Sequence, residues 1–170
     1  MLDLAANFSA ILSAVGNARE GLPKPVFLFT SQLVPMVNVD LLIKNVQGQT
    51  LLTWREDEFY GPGWHVPGGI IRFKELAETR IQKVAQSELN VKVISEKTPI
   101  CVKEVMAKNR DVRGHFISML YRCTLVSELQ SAQKFQLNQP NQNGHWQWHN
   151  GCPDNIIPQH EMYRAYMRCD

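Results

Sequence analysis

The chain has 170 residues, enough for one domain with a sizeable core. Eighteen Lys and Arg oppose sixteen Asp and Glu, and the net charge of +2 carries no run of like charge, so no nucleic-acid footprint is drawn. Four cysteines, Cys101, Cys123, Cys152 and Cys169, show neither a CxxC pair nor a Cys/His metal spacing and read as reduced thiols of a cytoplasmic protein. Asp3 stands where a basic leader would begin, and no stretch approaches a membrane span.

Leu4, Phe8, Ile11, Leu12 and Val15 recur at helical spacing and predict an amphipathic helix over residues 3–18. Such a helix covers a face of its own domain or joins a homodimer, and Gly21, Pro23 and Pro25 stop it. A strand follows around residues 36–44, then a turn at Gln47-Gly48 and a return strand over 51–54, read together as a hairpin. Pro67, Gly68 and Gly69 end a further strand and lead through a tight loop into a helix that runs to about residue 90. Strands are expected at 100–106 and 115–125. Residues 127–144 are polar, rich in Gln and Asn and interrupted by Pro140; a loop of that length is usually functional. A short strand over 145–149 precedes a last helix near 157–168. Strands around one central helix, with another helix at the end, make an α/β (α+β) sandwich with mixed sheets.

The motif with chemistry is WHVPGGIIRFKELAETRIQKVAQSELNV, residues 64–91. Gly69 is followed after five residues by Glu75, and after seven more by Lys83, Val84, Ala85, Gln86, Ser87, Glu88, Leu89, Asn90 and Val91. This frame resembles the Nudix hydrolase signature, whose second half reads Arg-Glu-aliphatic-x-Glu-Glu-x-Gly-aliphatic. Positions 84, 87 and 88 share one helical face. In the full signature that face carries three Glu that hold Mg²⁺ around a pyrophosphate. Here Val84 and Ser87 leave Glu88 alone. Mg²⁺ takes about six oxygens, several of them from water and phosphate, so one carboxylate with neutral oxygen donors suits a single ion. Asn90 tolerates the left-handed conformation that ends a helix. Lys83 keeps the charge of the signature Arg without its bidentate fork.

Matches outside the motif narrow the resemblance. VPMVNVDLLIKNVQGQTLLTWR (34–55), GWHVPGG (63–69), GHFISMLYRC (114–123) and Gln142 with His145-Trp146-Gln147-Trp148 are similar to the GDP-mannose mannosyl hydrolases. That Nudix branch has itself lost the Glu after Arg and the first of the paired Glu. The resemblance covers roughly residues 34–165. It implies a Nudix-type α/β/α sandwich over residues 31–170, with residues 1–30 as an N-terminal helical extension. It also implies a nucleotide-sugar substrate and Mg²⁺ held by the Gly68 carbonyl, the Glu88 carboxylate and the Gln142 amide oxygen. Arg55 matches the Arg that steadies charge on the departing diphosphate; its other reading is a strand-end ion pair. Asp40 matches an Asp on the first strand and, flanked by Val39 and Leu41, either binds a sugar or base edge or pairs with a nearby Arg.

Three departures bear on chemistry. Asn143 stands where the branch has its general-base His, and an amide cannot take a proton at neutral pH. His145 lies two residues on and points the same way in an extended segment, so it either replaces the base or merely opens the Trp-bearing strand. Ile70 replaces an Arg near the diphosphate, for which Arg72 can substitute, and Phe116 replaces a Tyr beside the retained His115. Lys83, Asn143, His115 and Phe116 join Asp40 and Arg72 as substrate-binding candidates. Three activities remain open: hydrolysis at the sugar's anomeric carbon, pyrophosphate cleavage at phosphorus, and binding without turnover.

Overall fold

Strands β1 (Met36–Ile43) and β7 (His115–Leu125) run side by side in parallel, from Met36 opposite Phe116 to Ile43 opposite Cys123, and form the spine of the larger sheet. The computed structural model describes residues 3–169. On the other edge of β1 lies β4 (Gly68–Ile70), antiparallel. Both β6 (Cys101–Met106) and β5 (Val93–Ser95) pair antiparallel with β7, along its first and last parts respectively. A second, antiparallel sheet has the order β3 (Gly63–His65), β2 (Thr50–Arg55), β8 (Trp146–His149). The fold class is the mixed α+β arrangement expected.

The expected hairpin between β1 and β2 is corrected. Its turn forms, with Gly48 at φ 74° and the Gly48 N–H on the Asn45 carbonyl. Pairing then stops at a single Lys44–Thr50 bridge and the strands part into different sheets. Leu41, Leu42, Ile43, Leu51 and Leu52 are all buried at 0–1% exposure. Side chains that are apolar on both faces of a strand require a layer on each side, which a two-stranded ribbon cannot supply.

The central helix α3 (Ala77–Val84) continues into a π-helical turn, Ala85–Leu89, which Asn90 ends at φ 54° in the left-handed region. Ile81, Val84, Ala85 and Leu89 pack with Val39, Leu41 and Ile43 of β1. Burying each of the larger side chains contributes about 1.5–3 kcal/mol. A second cluster joins Leu42, Leu52, Trp64, Leu120 and Tyr163. Tyr163 belongs to the last element, which is a 3₁₀ helix, Pro158–Met167, rather than an α-helix. The polar stretch 127–144 holds one short 3₁₀ turn, Ser131–Gln133.

Helix α1 (Leu4–Val15) forms where its periodicity predicts, with the Asp3 carboxylate accepting the Ala6 N–H at its start. It does not cover a sheet face: none of its residues is buried, and Leu4, Phe8 and Leu12 are exposed. Gly21, Pro23 and Pro25 lead into an unexpected second helix, α2 (Lys24–Thr30), with Pro25 in its first turn, where the missing N–H has no intrahelical role. Among the described residues no helix is long and apolar enough to cross a membrane. The four cysteines are unpaired.

Candidate active site

Asp40 sits in mid-β1, in register with Gly68 on β4 and Leu120 on β7. Flanked by core residues, its carboxyl is 1% exposed and must find donors. Asn38 Nδ2 donates to Oδ1 over 2.7 Å and the Tyr163 hydroxyl donates to Oδ2 over 2.7 Å, with Ser118 as a further partner. Burial nonetheless pushes Asp40 up to about 7.

Glu88 reaches the same region from the π-helical turn. The Gly68 N–H donates to its Oε1 over 3.1 Å, and the Thr53 hydroxyl lies 3.2 Å from its Oε2. Burial pushes this carboxyl up to about 7 as well; the Gly68 N–H, Arg55 and Thr53 oppose the shift, and the negative charge of Asp40 adds to it. The negative charge of Asp40 thus disfavours the ionised form of Glu88, a conflict that a bound cation would relieve. The Glu88 carboxylate and the Gly68 backbone beside it offer the hard oxygen donors that Mg²⁺ takes, whereas both oxygens of Asp40 already accept from Asn38 and Tyr163. Among the described residues no group of three or more His, Cys, Asp and Glu stands ready to hold a metal, so carbonyl, amide, water or substrate oxygens would complete its shell. At position 84 hydrocarbon replaces a carboxylate: Val84 is 3% exposed, and a Cβ on Gly69 would lie 2.8 Å from its Cγ2.

Two histidines missed by the sequence reading complete this wall. His65 Nδ1–H donates to the Val66 carbonyl over 2.9 Å, and its Nε2 is 2.9 Å from Thr53 Oγ1 and 3.6 Å from Glu88 Oε2. Burial lowers it to about 3, so it is neutral. His160 accepts the Val66 N–H at Nδ1, which leaves its ring proton on Nε2, and burial holds it well below the usual imidazole range. His65 was visible within GWHVPGG but matched no expected role. His160 lies 94 residues from Val66, and nothing local announced their contact.

These groups surround a cavity of about 160 Å³, lined by Asp40, Arg55, Tyr60, His65, Gly68 and His160, with Ile70 and Phe116 as apolar wall. Arg55 stacks over Tyr60, its Cζ 4.5 Å from the ring centroid, and its Nε donates to Asp57 over 2.6 Å. Asp40, Arg55, Gly68, Phe116 and, behind Gly68, Glu88 are thus brought together.

The other candidates lie outside that lining. Arg72 turns towards Gly21 in a separate apolar cavity of about 370 Å³. Lys83 bonds Glu75 at 2.9 Å, and Glu75 also meets Arg80 at 2.7 Å. Burial pushes Glu75 up, but the Arg72 N–H, Lys83 and Arg80 outweigh it and hold the carboxyl at about 2. His115 Nε2 lies 3.0 Å from Glu104 at the surface. The exposed Gln142 gives its N–H to His145 Nδ1 over 3.2 Å, while the His145 carbonyl accepts the Trp54 N–H. Asn143 clasps the Glu56 backbone, accepting its N–H at 2.5 Å and donating to its carbonyl at 2.7 Å.

No family model matches the chain. The low-salt glycan biosynthesis protein Agl8 of Haloferax volcanii is 34% identical over 96 residues, 54% of this chain. The match spans about 60% of that relative's length. Among solved structures, a MutT protein from Methanosarcina mazei Go1 superposes with a TM-score of 0.60 at 12% identity, covering 79% of this chain and 94% of that one. A MutT Nudix hydrolase from Burkholderia pseudomallei gives 0.58 at 19% identity, covering 78% and 97%. An ADP-ribose pyrophosphatase from Streptococcus suis gives 0.52 at 15%, covering 79% and 89%. At these identities the likeness is one of architecture, and the chain has the Nudix fold.

Proposed function

We propose that this protein is a Mg²⁺-dependent hydrolase of a nucleoside diphosphate sugar, of the GDP-mannose type, that cleaves at the anomeric carbon. The observation that carries the reading is the single carboxylate on the helix face: Glu88 remains, and Val84 fills the neighbouring place with core hydrocarbon against Gly69. Attack at phosphorus in this fold recruits several carboxylate-bound ions, whereas attack at carbon asks mainly for charge neutralisation on the leaving diphosphate. The partial match to a relative named for glycan biosynthesis favours a sugar-bearing substrate.

In this reading the Gly68 carbonyl and Glu88 would hold one Mg²⁺, which would supply charge neutralisation on the diphosphate, and Gln142, exposed and outside the cavity lining, would join them only by moving its loop. Arg55, fixed between Asp57 and Tyr60, faces the same charge as it grows. Water oxygen bonds to the anomeric carbon, the carbon–oxygen bond to the diphosphate breaks with its electron pair on the diphosphate, and the water proton passes to a base. Asp40 lines the cavity and has the raised proton affinity such a base needs. For His145 to serve instead, its Nδ1 must leave the Gln142 N–H. His160, with its proton on Nε2, is a neutral donor towards substrate oxygen.

A second reading is binding without turnover. It is favoured by Asn143, which stands at the branch's base position and is committed to the Glu56 backbone. Incubation with a panel of sugar nucleotides and Mg²⁺, followed by product identification, separates the readings. Sugar plus nucleoside diphosphate supports the proposal, sugar phosphate plus monophosphate places attack at phosphorus, and binding without products supports the second reading.

A further inference from the structure

Three guanidinium groups converge on one phenol ring at the edge of the cavity. The Cζ atoms of Arg55, Arg110 and Arg113 lie 4.5, 4.8 and 5.0 Å from the Tyr60 ring centroid. Arg110 and Arg113 come from the segment between β6 and β7, which no motif singled out. Asp57 pairs with Arg55. Arg113 Nε and Arg110 Nη1 are buried with no hydrogen-bond partner among the described residues. Like charges gathered around one ring, with donors left unused, are unfavourable unless an anion joins them.

The convergence is built rather than incidental to a mobile side chain. Arg113 holds a left-handed backbone, φ 51°, uncommon for a residue with a long side chain. Its N–H is fixed on Ser31 Oγ at 3.0 Å, just after α2. Its guanidinium lies 4.9 Å from the Phe59 ring centroid and 5.5 Å from that of Phe27, which α2 contributes. Burial above all, and the neighbouring Arg55, lower the proton affinity of Arg113, while Tyr60 and Asp57 oppose the shift. Arg55, Tyr60 and Arg113 line the same cavity as Asp40 and Gly68.

We propose that Arg110 and Arg113, together with Arg55, form an anion subsite that binds a phosphate group on the Tyr60 side of the cavity. Planar guanidinium forks suit phosphate oxygens, and aromatic stacking sets their planes in advance. The subsite rests on the functional reading above only for the identity of its natural ligand, a nucleoside diphosphate derivative. The same chemistry accepts free pyrophosphate.

The test is calorimetric titration of the full chain with sodium pyrophosphate, in chelator and at low salt, so that metal plays no part. Arg110→Gln and Arg113→Asn are the informative variants; Asn tolerates the left-handed backbone that position 113 requires. Each is expected to weaken pyrophosphate binding by about tenfold or more. Lys97→Gln, an exposed site near the far end of β7, is expected to bind as wild type does. Arg113→Lys, which keeps charge but loses the fork, is expected to fall between. Should Arg113→Asn fail to fold by circular dichroism, Arg110→Gln and Arg113→Lys decide. Wild-type affinity in those variants, or no pyrophosphate binding by wild type, overturns the subsite. Arginine-dependent binding combined with no turnover of any sugar nucleotide leaves the subsite standing and overturns the hydrolase reading instead.

Discussion

Asp40 and Gly68 face each other across the β1–β4 pair so closely that a Cβ on Gly68 would lie 2.1 Å from Asp40 Oδ1. The glycine is required by the carboxyl, not by a turn. Gly68→Ala must displace either β4 or the Asp40 side chain with its Asn38 and Tyr163 donors. The expected cost is about 2 kcal/mol or more, a fall in Tm of roughly 4–8 °C, with loss of activity. Thermal denaturation checks it, and an unchanged Tm would mean that the strand yields freely.

Glu88→Gln keeps the shape of the side chain and its contact with the Gly68 N–H. It should fold normally, bind Mg²⁺ far more weakly and lose turnover by orders of magnitude. Titration calorimetry with Mg²⁺ reads this directly, and wild-type affinity would remove Glu88 from the metal site.

Asp40 gives the fold a pH dependence whose sign is fixed. Its folded pKa, about 7, lies above the usual 3.8, so its contribution favours folding below pH 3.8 and is lost as pH rises through 7. The full shift is worth on the order of 4 kcal/mol. Asp40→Asn removes this loss, so its Tm relative to wild type should be more favourable at pH 8 than at pH 5. Denaturation scans across that range measure it; a difference independent of pH would show that Asp40 ionises freely.

If Arg55 neutralises a departing diphosphate as proposed, Arg55→Ala should lower kcat more than it raises KM, because such a contact strengthens mainly as charge develops. The expected loss is about 2–4 kcal/mol in the barrier. A change confined to KM would make Arg55 a uniform binding residue.

His145→Ala and Asp40→Asn separate the two candidate bases. With Asp40 as base, His145→Ala keeps turnover within tenfold and retains the acidic limb of the pH–rate profile. A loss of about 10²–10⁴-fold together with that limb would assign the base to His145 instead.

Local periodicity and spacing carried much of this protein. Helix α1, strands β1, β7 and β8, the turn at Gly48 and the left-handed Asn90 are all readable from short-range patterns, because each is set by residues within one element. The frame Gly69, Glu75, Glu88 likewise placed Glu88 beside Gly68, since one loop and one helix fix that distance. Pairing between strands was decided elsewhere. β2 left β1 because both are apolar on two faces, a demand that only the second sheet meets. The surroundings of Asp40 come from β1, β7 and the last helix, and those of His65 from β2, the π-helical turn and the last helix. Arg55, Arg110 and Arg113 meet on Tyr60 across more than fifty residues of chain. The sequence determined which chemical groups are present and the periodicity that builds each element. Tertiary packing alone decided which groups lose water together, and hence which carboxyls are raised, which imidazoles stay neutral and which arginines face a cavity.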